Sequence, residues 1–141
     1  MAWSQYIEDA TTFIHNFVIK AFKQVLPTAA CLARWKKAAS AMCVLCNKCD
    51  QTNKHVLSNC DSPVALSRYT ARHDSALKIL ADWLVSSLST EYDVFADIPF
   101  SAHKTTENFF TNFRPDIVIT TQSTELIVIE LTVCHETNLV N

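Results

Sequence analysis

Between residues 43 and 60 the chain reads Cys43-x2-Cys46-x8-His55-x4-Cys60, three thiols and an imidazole set in two pairs around a polar stretch. No other feature narrows the fold as much. Structural zinc takes four such ligands in a tetrahedron, commonly a Cys-x2-Cys knuckle and a second pair from a nearby turn or helix. Two half-motifs with fitting spacing are far more specific than one. Cys49 makes Cys46-x2-Cys49 an equally good knuckle by spacing, so a second ligand set stands open beside the first. Cys43 with Cys46 is preferred, because the longer loop to His55 leaves room for Asp50-Gln51-Thr52-Asn53 to turn. Cys31 and Cys134 read as ordinary buried thiols.

The rest of the composition bears on where such a site can operate. Six cysteines without a secretory signal point to thiolates on metal in a reducing compartment, cytoplasm or nucleus, rather than to disulfides in a secreted protein. Glu8 and Asp9 interrupt the opening segment, and no run approaches the ~18 apolar residues of a membrane span, so the chain reads as soluble. With 49% hydrophobic and 18% charged residues it belongs with folded chains, and its 141 residues suit one domain or a small domain with an appendage. There is no glycine, where about 7% is usual. Tight turns are therefore expected to fall on Asn, Asp, Ser or Pro, and glycine-rich phosphate cradles are excluded, removing dinucleotide and P-loop functions. The net charge of -2 divides unevenly: residues 1–61 carry +3 and the remainder -5. The first part favours a polyanion, whereas the second needs a cation before phosphate comes close.

Apolar residues from Trp3 to about Leu26, among them Phe13, Ile14, Phe17, Val18 and Phe22, recur at the helical period, and Pro27 ends that run. Thr28 can cap a second helix reaching about Met42, with Arg34, Lys36 and Lys37 as a basic outer patch and Trp35 in the core. Asp61-Ser62-Pro63 marks the boundary between a helical, cysteine-rich region, 1–61, and a second region, 62–141. There a long helix is expected from Val64 or Arg68 to Leu88, with Ala76, Leu77, Leu80, Trp83, Leu84 and Leu88 facing a core. Strand candidates follow at 92–100, 116–121 and 125–133. Ile117-Val118-Ile119 and Leu126-Ile127-Val128-Ile129 are apolar on successive residues, which predicts strands buried on both faces and a sheet covered on two sides by helices. The fold class is α/β or α+β.

If the last two strands form a hairpin centred on Ser123, Asp116 lies opposite Glu130. Carboxylates opposed across an antiparallel pair, with Cβ atoms roughly 4.5–5.5 Å apart, repel unless a cation sits between them. Mg²⁺ or Mn²⁺ held by two carboxylates is a common device for phosphodiester chemistry. A solvated strand end and a paired surface acid would give the same pattern without metal.

Arg114-Pro115-Asp116, then Glu130-Leu131-Thr132-Val133 with Glu136 and Asn138, resembles the restriction-like endonuclease at the C-terminus of site-specific non-LTR retrotransposon polyproteins. Leu26-Pro27-Thr28, Arg34-Trp35, the cysteine cluster ending His55-Val56-Leu57-Ser58-Asn59-Cys60, and Arg72-His73-Asp74 resemble the region ahead of that nuclease. The resemblance spans about residues 26–138. It implies a PD-(D/E)XK core that nicks DNA to prime reverse transcription, with Asp116 and Glu130 as Mg²⁺ or Mn²⁺ ligands. Zinc on Cys43, Cys46, His55 and Cys60 would help grip DNA, or RNA of the element. Asp74 would join the catalytic carboxylates, and Arg34, Lys36, Lys37, Arg72, His73 and Arg114 would contact nucleic acid. Thr132 stands where the family usually has lysine, Cys134 where it tends to have proline, and the nearest basic candidates are Lys104, Arg114 and His103. The expectation is a truncated copy that stops at Asn141, ahead of the helix to which this branch moves its basic residue.

Overall fold

A computed structural model describes residues 10–99, 102–106, 109–121 and 125–133, which fall into two compact units, one within Met1–Leu66 and one within Ser67–Cys134. The start of the first expected helix, the turn at Ser123, and Cys134, His135, Glu136 and Asn138 lie outside the described residues. No helix among those described is long and apolar enough to cross a membrane.

In the first unit, helix α1 covers Thr12–Phe22 and α2 covers Ala29–Arg34. Thr11 and Thr28 cap them, each hydroxyl accepting from the N–H three residues on (Ile14 and Cys31, both 3.4 Å). Both helices end in the same way despite the lack of glycine. Past α1, Gln24 takes φ 56°, and the N–H groups of Gln24 and Val25 return to the carbonyls of Ala21 and Lys20. Past α2, Lys36 takes φ 59°, and the N–H groups of Lys36 and Lys37 return to Ala33 and Leu32. These are paired left-handed caps in which glycine is the usual occupant. The turn expectation is thus corrected: of the left-handed positions Gln24, Lys36 and Asn47, Asn47 alone belongs to the favoured residue types. The two helix-ending bonds hold Gln24 and Lys36 in a conformation they disfavour.

The second helix is also shorter than expected, because the cap at Lys36 stops it six residues after Thr28 rather than at Met42. It places Trp35 at the helix end, 40% exposed instead of in the core. Helix α1 buries none of its residues, and Phe13 and Phe22 are each 79% exposed. Its apolar stripe has the helical period, but no core among the described residues receives it.

The second unit is a long helix over a meander. Helix α3, Pro63–Ser87, is followed by β1 (Tyr92–Ala96), β2 (Ile117–Thr121) and β3 (Leu126–Ile129), paired antiparallel in the order β1-β2-β3. Leu77, Ala81 and Leu84, spaced four and three apart, put one stripe of α3 against Val94 and Ala96 of β1 and Ile117 and Ile119 of β2, with Leu80, Leu88 and Ile129 packed at the margin. Trp83 lies about 120° from that stripe at roughly 100° per residue and is 58% exposed, contrary to its expected core position. Ala81 takes the place instead.

Central strand β2 is buried on both faces as its unbroken apolar run implies, with Ile117, Val118 and Ile119 all buried. The second face, however, is covered by a loop. Phe95, paired in register with Val118, stacks edge-on against Phe109 at 4.7 Å between ring centroids. Strand β3 departs further: Leu126, Ile127 and Val128 are exposed, and among the described residues β3 pairs on one side alone. An apolar run marks strand propensity on either kind of position.

Two outcomes follow. Leu77→Ala, at a site with no exposure, should cost roughly 2–5 kcal/mol in denaturant unfolding of the second unit. Lys36→Gly should stabilise the first unit by about 1 kcal/mol by releasing the left-handed cap, read as a raised thermal midpoint.

Candidate metal centre and the acidic hairpin end

The cysteine cluster is built on a short clip. Met42 and Asp50 form an antiparallel bridge, with Gln51 N–H on the Ala41 carbonyl and Cys43 N–H on the Cys49 carbonyl, each 2.8 Å. Cys43 and Cys46 sit in the connecting turn, which Asn47 closes with φ 54° and an N–H bond of 2.9 Å to the Cys43 carbonyl. Gln51 ties the clip to α2: its Oε1 accepts the Ala29 N–H at 2.9 Å, and its Nε2 lies 3.9 Å from Cys43 Sγ.

The second ligand pair comes from a π-helical turn, His55–Asn59, with Cys60 as its C-cap. The spacing needs this turn. At about 100° per residue an α-helix would set residues 55 and 60 roughly 140° apart, whereas i→i+5 closure brings the sixth residue back over the first. His55 and Cys60 consequently face the knuckle together, and both are buried with Cys43.

The ligand atoms of Cys43, Cys46, His55 and Cys60 all lie within 4.8 Å of one another. Cys43 Sγ is 4.0 Å from Cys60 Sγ, and Cys46 Sγ is 3.3 Å from His55 Nε2. With metal–sulfur bonds of ~2.3 Å and metal–nitrogen bonds of ~2.0–2.1 Å, a zinc tetrahedron has edges of about 3.8 and 3.5 Å. The cluster fits that size, and three sulfurs with one imidazole form a donor set suited to zinc. This Cys3His group can hold a structural metal ion such as zinc. Of the two ligand sets left open by the sequence, the four converging groups are the first; Cys49 is exposed and outside them, with its Sγ 3.3 Å from His55 Nδ1. Cys49 Sγ lies beside the imidazole, 3.9 Å from Nε2 as well.

The electrostatics point the same way. Burial pushes the Cys43 thiol up, but the N–H groups of Cys46 and Leu45, then the His55 and Cys46 side chains, outweigh it and bring the thiol down to about 6. At Cys46 the Lys48 N–H lowers the thiol, yet burial and the neighbouring Cys43 and Cys60 leave it above its ordinary value. One thiolate in the cluster thus resists ionisation of the next, a conflict that a cation removes. Ser62 Oγ, 3.3 Å from Cys60 Sγ, also accepts the Ala65 N–H at 3.2 Å, linking the cluster to the first turn of α3. Exposed Lys48 and Asp61 pair across its outer side.

In the second unit, the β2–β3 ladder sets Ile117 opposite Ile129. That register is the one expected from the sequence, and Asp116 and Glu130 lie just beyond its last pair, outside both strands. His73, one turn before Leu77 on the buried stripe of α3, reaches this end of the hairpin. Its Nε2 lies 3.3 Å from Asp116 Oδ2 and 3.2 Å from the Leu131 carbonyl, and its Nδ1 lies 3.3 Å from Asp74 Oδ1. The Leu131 N–H donates to Asp116 Oδ2 at 2.7 Å. Burial alone would push His73 down, but Asp74 and Asp116 raise it above its ordinary value. The side chains of Asp74, His73 and Asp116 form one chain, Glu130 is exposed beside it, and the Cys3His group is the one metal-sized convergence of three or more His, Cys, Asp or Glu residues among the described residues.

The other expected site residues divide. Arg34, Lys36 and Lys37 are exposed as the basic patch requires. Arg72 is turned to structural use: its Nη2 donates to the Val133 carbonyl at 3.1 Å and its guanidinium lies 5.4 Å from the Tyr69 ring centre. The basic candidates to replace the missing lysine are drawn to other acids, Lys104 to Asp93 at 2.6 Å, Arg114 to Asp97 at 2.5 Å and His103 to Asp82 at 2.8 Å. The Cys49–His55 contact and the Asp74–His73–Asp116 chain were not legible from spacing, since both depend on which ring edge faces which element.

Chelation should unfold the first unit, and Cys43→Ser should lose the metal. Cys49→Ala should keep one metal per chain while weakening it about 10–100-fold, as read by competition with a chromophoric chelator. The cobalt-substituted form of that variant should keep the absorption spectrum of three thiolates and one imidazole. His73 gives a pH outcome. Its folded value is raised, so its stabilisation is complete below the unfolded value of about 6.5 and is lost as pH rises through the folded one. The stability difference between the native protein and His73→Gln, measured without added divalent cation, should therefore shrink from pH 5.5 to 8.5. Compared with family models, with curated proteins and with solved structures, the chain matches none of them.

Proposed function

We propose that the chain is the metal-dependent DNA endonuclease part of a non-LTR retrotransposon, nicking target DNA so that the cut end primes reverse transcription. The observation that supports this reading is the β2–β3 register, whose last pair, Ile117 with Ile129, directly adjoins Asp116 and Glu130 at the open end of the hairpin. The element order around them, a helix and then an antiparallel meander, also agrees with the start of a PD-(D/E)XK core. Their carboxylates are hard oxygen donors of the kind that Mg²⁺ or Mn²⁺ takes. When bound there, the cation would activate water and stabilise the leaving oxygen.

The protein's own groups have distinct parts in this scheme. Leu131 N–H and His73 hold Asp116 in place. Asp74 orients His73 through Nδ1, so its contribution passes through the imidazole instead of through the metal. A charged His73 also supplies the positive group that Thr132 does not. The Cys3His unit with Arg34, Lys36 and Lys37 would hold the DNA backbone, or RNA of the element, by charge.

A second reading, nucleic-acid binding without cleavage, is favoured by the pairing of Lys104, Arg114 and His103 with acids other than Asp116 and Glu130. The two part in one experiment. The intact protein with Mg²⁺ or Mn²⁺ should nick supercoiled plasmid, and Asp116→Ala should lower the rate by at least about 10³-fold, in the range of lost transition-state charge stabilisation, while DNA binding persists. Binding without nicking by the unmutated chain would leave the second reading alone.

A further inference from the structure

The metal centre has five donors for four places. Cys43, Cys46, His55 and Cys60 converge, and Cys49 is left outside them although its Sγ lies 3.3 Å from His55 Nδ1 and 3.9 Å from Nε2. Its exposure is the anomaly. Free cysteine is among the most buried of residue types, and Cys31, Cys43 and Cys60 are buried while Cys49 is open to solvent. Neither packing nor the ligand count of a tetrahedral site accounts for one more thiol at this surface.

The clip supplies that thiol with a partner. Cys43 N–H donates to the Cys49 carbonyl at 2.8 Å. With standard N–Cα, Cα–C and C=O lengths, such a bond keeps the two Cα atoms no more than about 6.7 Å apart. Disulfides span Cα separations of roughly 4.4–6.8 Å, so the pair meets the backbone requirement with the clip closed. The Met42–Asp50 bridge and the Gln51 N–H on the Ala41 carbonyl hold its two arms together. Both sulfurs also keep to one neighbourhood: the ligand atoms of Cys43 and His55 are within 4.8 Å of each other, and Cys49 Sγ stands against the same ring. Cys31, the other described thiol outside the metal group, has no such position. It is buried, receives Arg34 Nη2 at 3.4 Å and lies 3.5 Å from the Gln24 carbonyl.

We infer that Cys49 is an oxidation site that empties the metal centre, forming a disulfide with Cys43 when a hydroperoxide reaches it. The peroxide gives one oxygen to Cys49 Sγ: the O–O bond breaks, water leaves, and the thiol becomes a sulfenic acid. Cys43 Sγ then attacks the Cys49 sulfur. An S–S bond forms, the S–O bond breaks, and hydroxide leaves to take up a proton as water. Two thiols thereby give up two electrons, and one peroxide accepts them. The exposed sulfur is the one attacked and the buried one resolves it. Cys43 can then no longer hold metal, and Cys46, His55 and Cys60 remain as three donors where structural zinc takes four. Since metal binding and folding are coupled in a unit of this kind, the unit loosens with the loss. The inference rests on the Cys3His group holding metal, and not on the nuclease reading.

The test uses the full chain loaded with one zinc per chain, hydrogen peroxide, and a chromophoric chelator that registers released zinc. Release should keep step with a Cys43–Cys49 disulfide, mapped by mass spectrometry of unreduced proteolytic peptides, and a dithiol reductant should restore both thiols and zinc binding. Cys49→Ser, which keeps a hydrogen-bonding atom beside His55, should retain one zinc per chain and slow the peroxide-dependent release at least about tenfold, because the exposed thiol that oxidises first is gone. Equal peroxide-dependent release from Cys49→Ser, the result of direct oxidation of the ligand thiols, would overturn the inference. So would a Cys49 that stops at sulfenic or sulfinic acid with zinc still bound, or a disulfide joining other cysteines. A chain that takes up no zinc would bring down the metal centre and this inference together, whereas zinc taken up and then lost at equal rates counts against the role of Cys49 alone.

Discussion

The first unit is organised around the gathering of three cysteine sulfurs and one imidazole. These groups lie within ligand distance of one another, and the N–H groups that favour ionisation of Cys43 act while Cys46 is held above its ordinary value. A cation relieves this conflict, and the rest of the unit is arranged to keep the donors in place. The clip at residues 41–51 presents Cys43 and Cys46, the π turn presents His55 and Cys60, and Gln51 and Ser62 connect the cluster to the helices on either side. Cys43, His55 and Cys60 are themselves among the unit's few buried residues. In small units with little apolar core, a metal takes over much of the stabilising role of hydrophobic burial.

Lack of glycine leaves its mark on the same unit. The chain still needs left-handed residues to end α1 and α2 and to close the knuckle, and it supplies them with Gln24, Lys36 and Asn47. The two helix-ending hydrogen bonds at each cap, together with the N-cap threonines, offset the steric cost. Stopping α2 at Arg34 brings Trp35 and the basic residues to the surface together. A backbone constraint thereby decides which side chains reach the surface together.

In the second unit one helical stripe does two jobs. Leu77, Ala81 and Leu84 bury β1 and β2, and the same stripe continued one turn toward the N-terminus brings His73 to Asp116. Packing of the core and placement of the imidazole cannot be altered independently, because both depend on the rotation of α3 over the sheet.

Much of this was legible in the sequence. The Cys3His grouping follows from thiols and an imidazole at fixed spacing, α3 from its period, and the β2–β3 register from the constant index sum of an antiparallel hairpin. These are local rules, and the register agrees with them. Tertiary structure decided the rest. It put Cys49 beside the His55 ring and outside the group of four, left the side chains of β3 exposed, covered the second face of β2 with a loop, exposed Trp35 and enclosed Asn53. Each of these depends on which surface meets which, and a residue's type and spacing do not encode its neighbours across space.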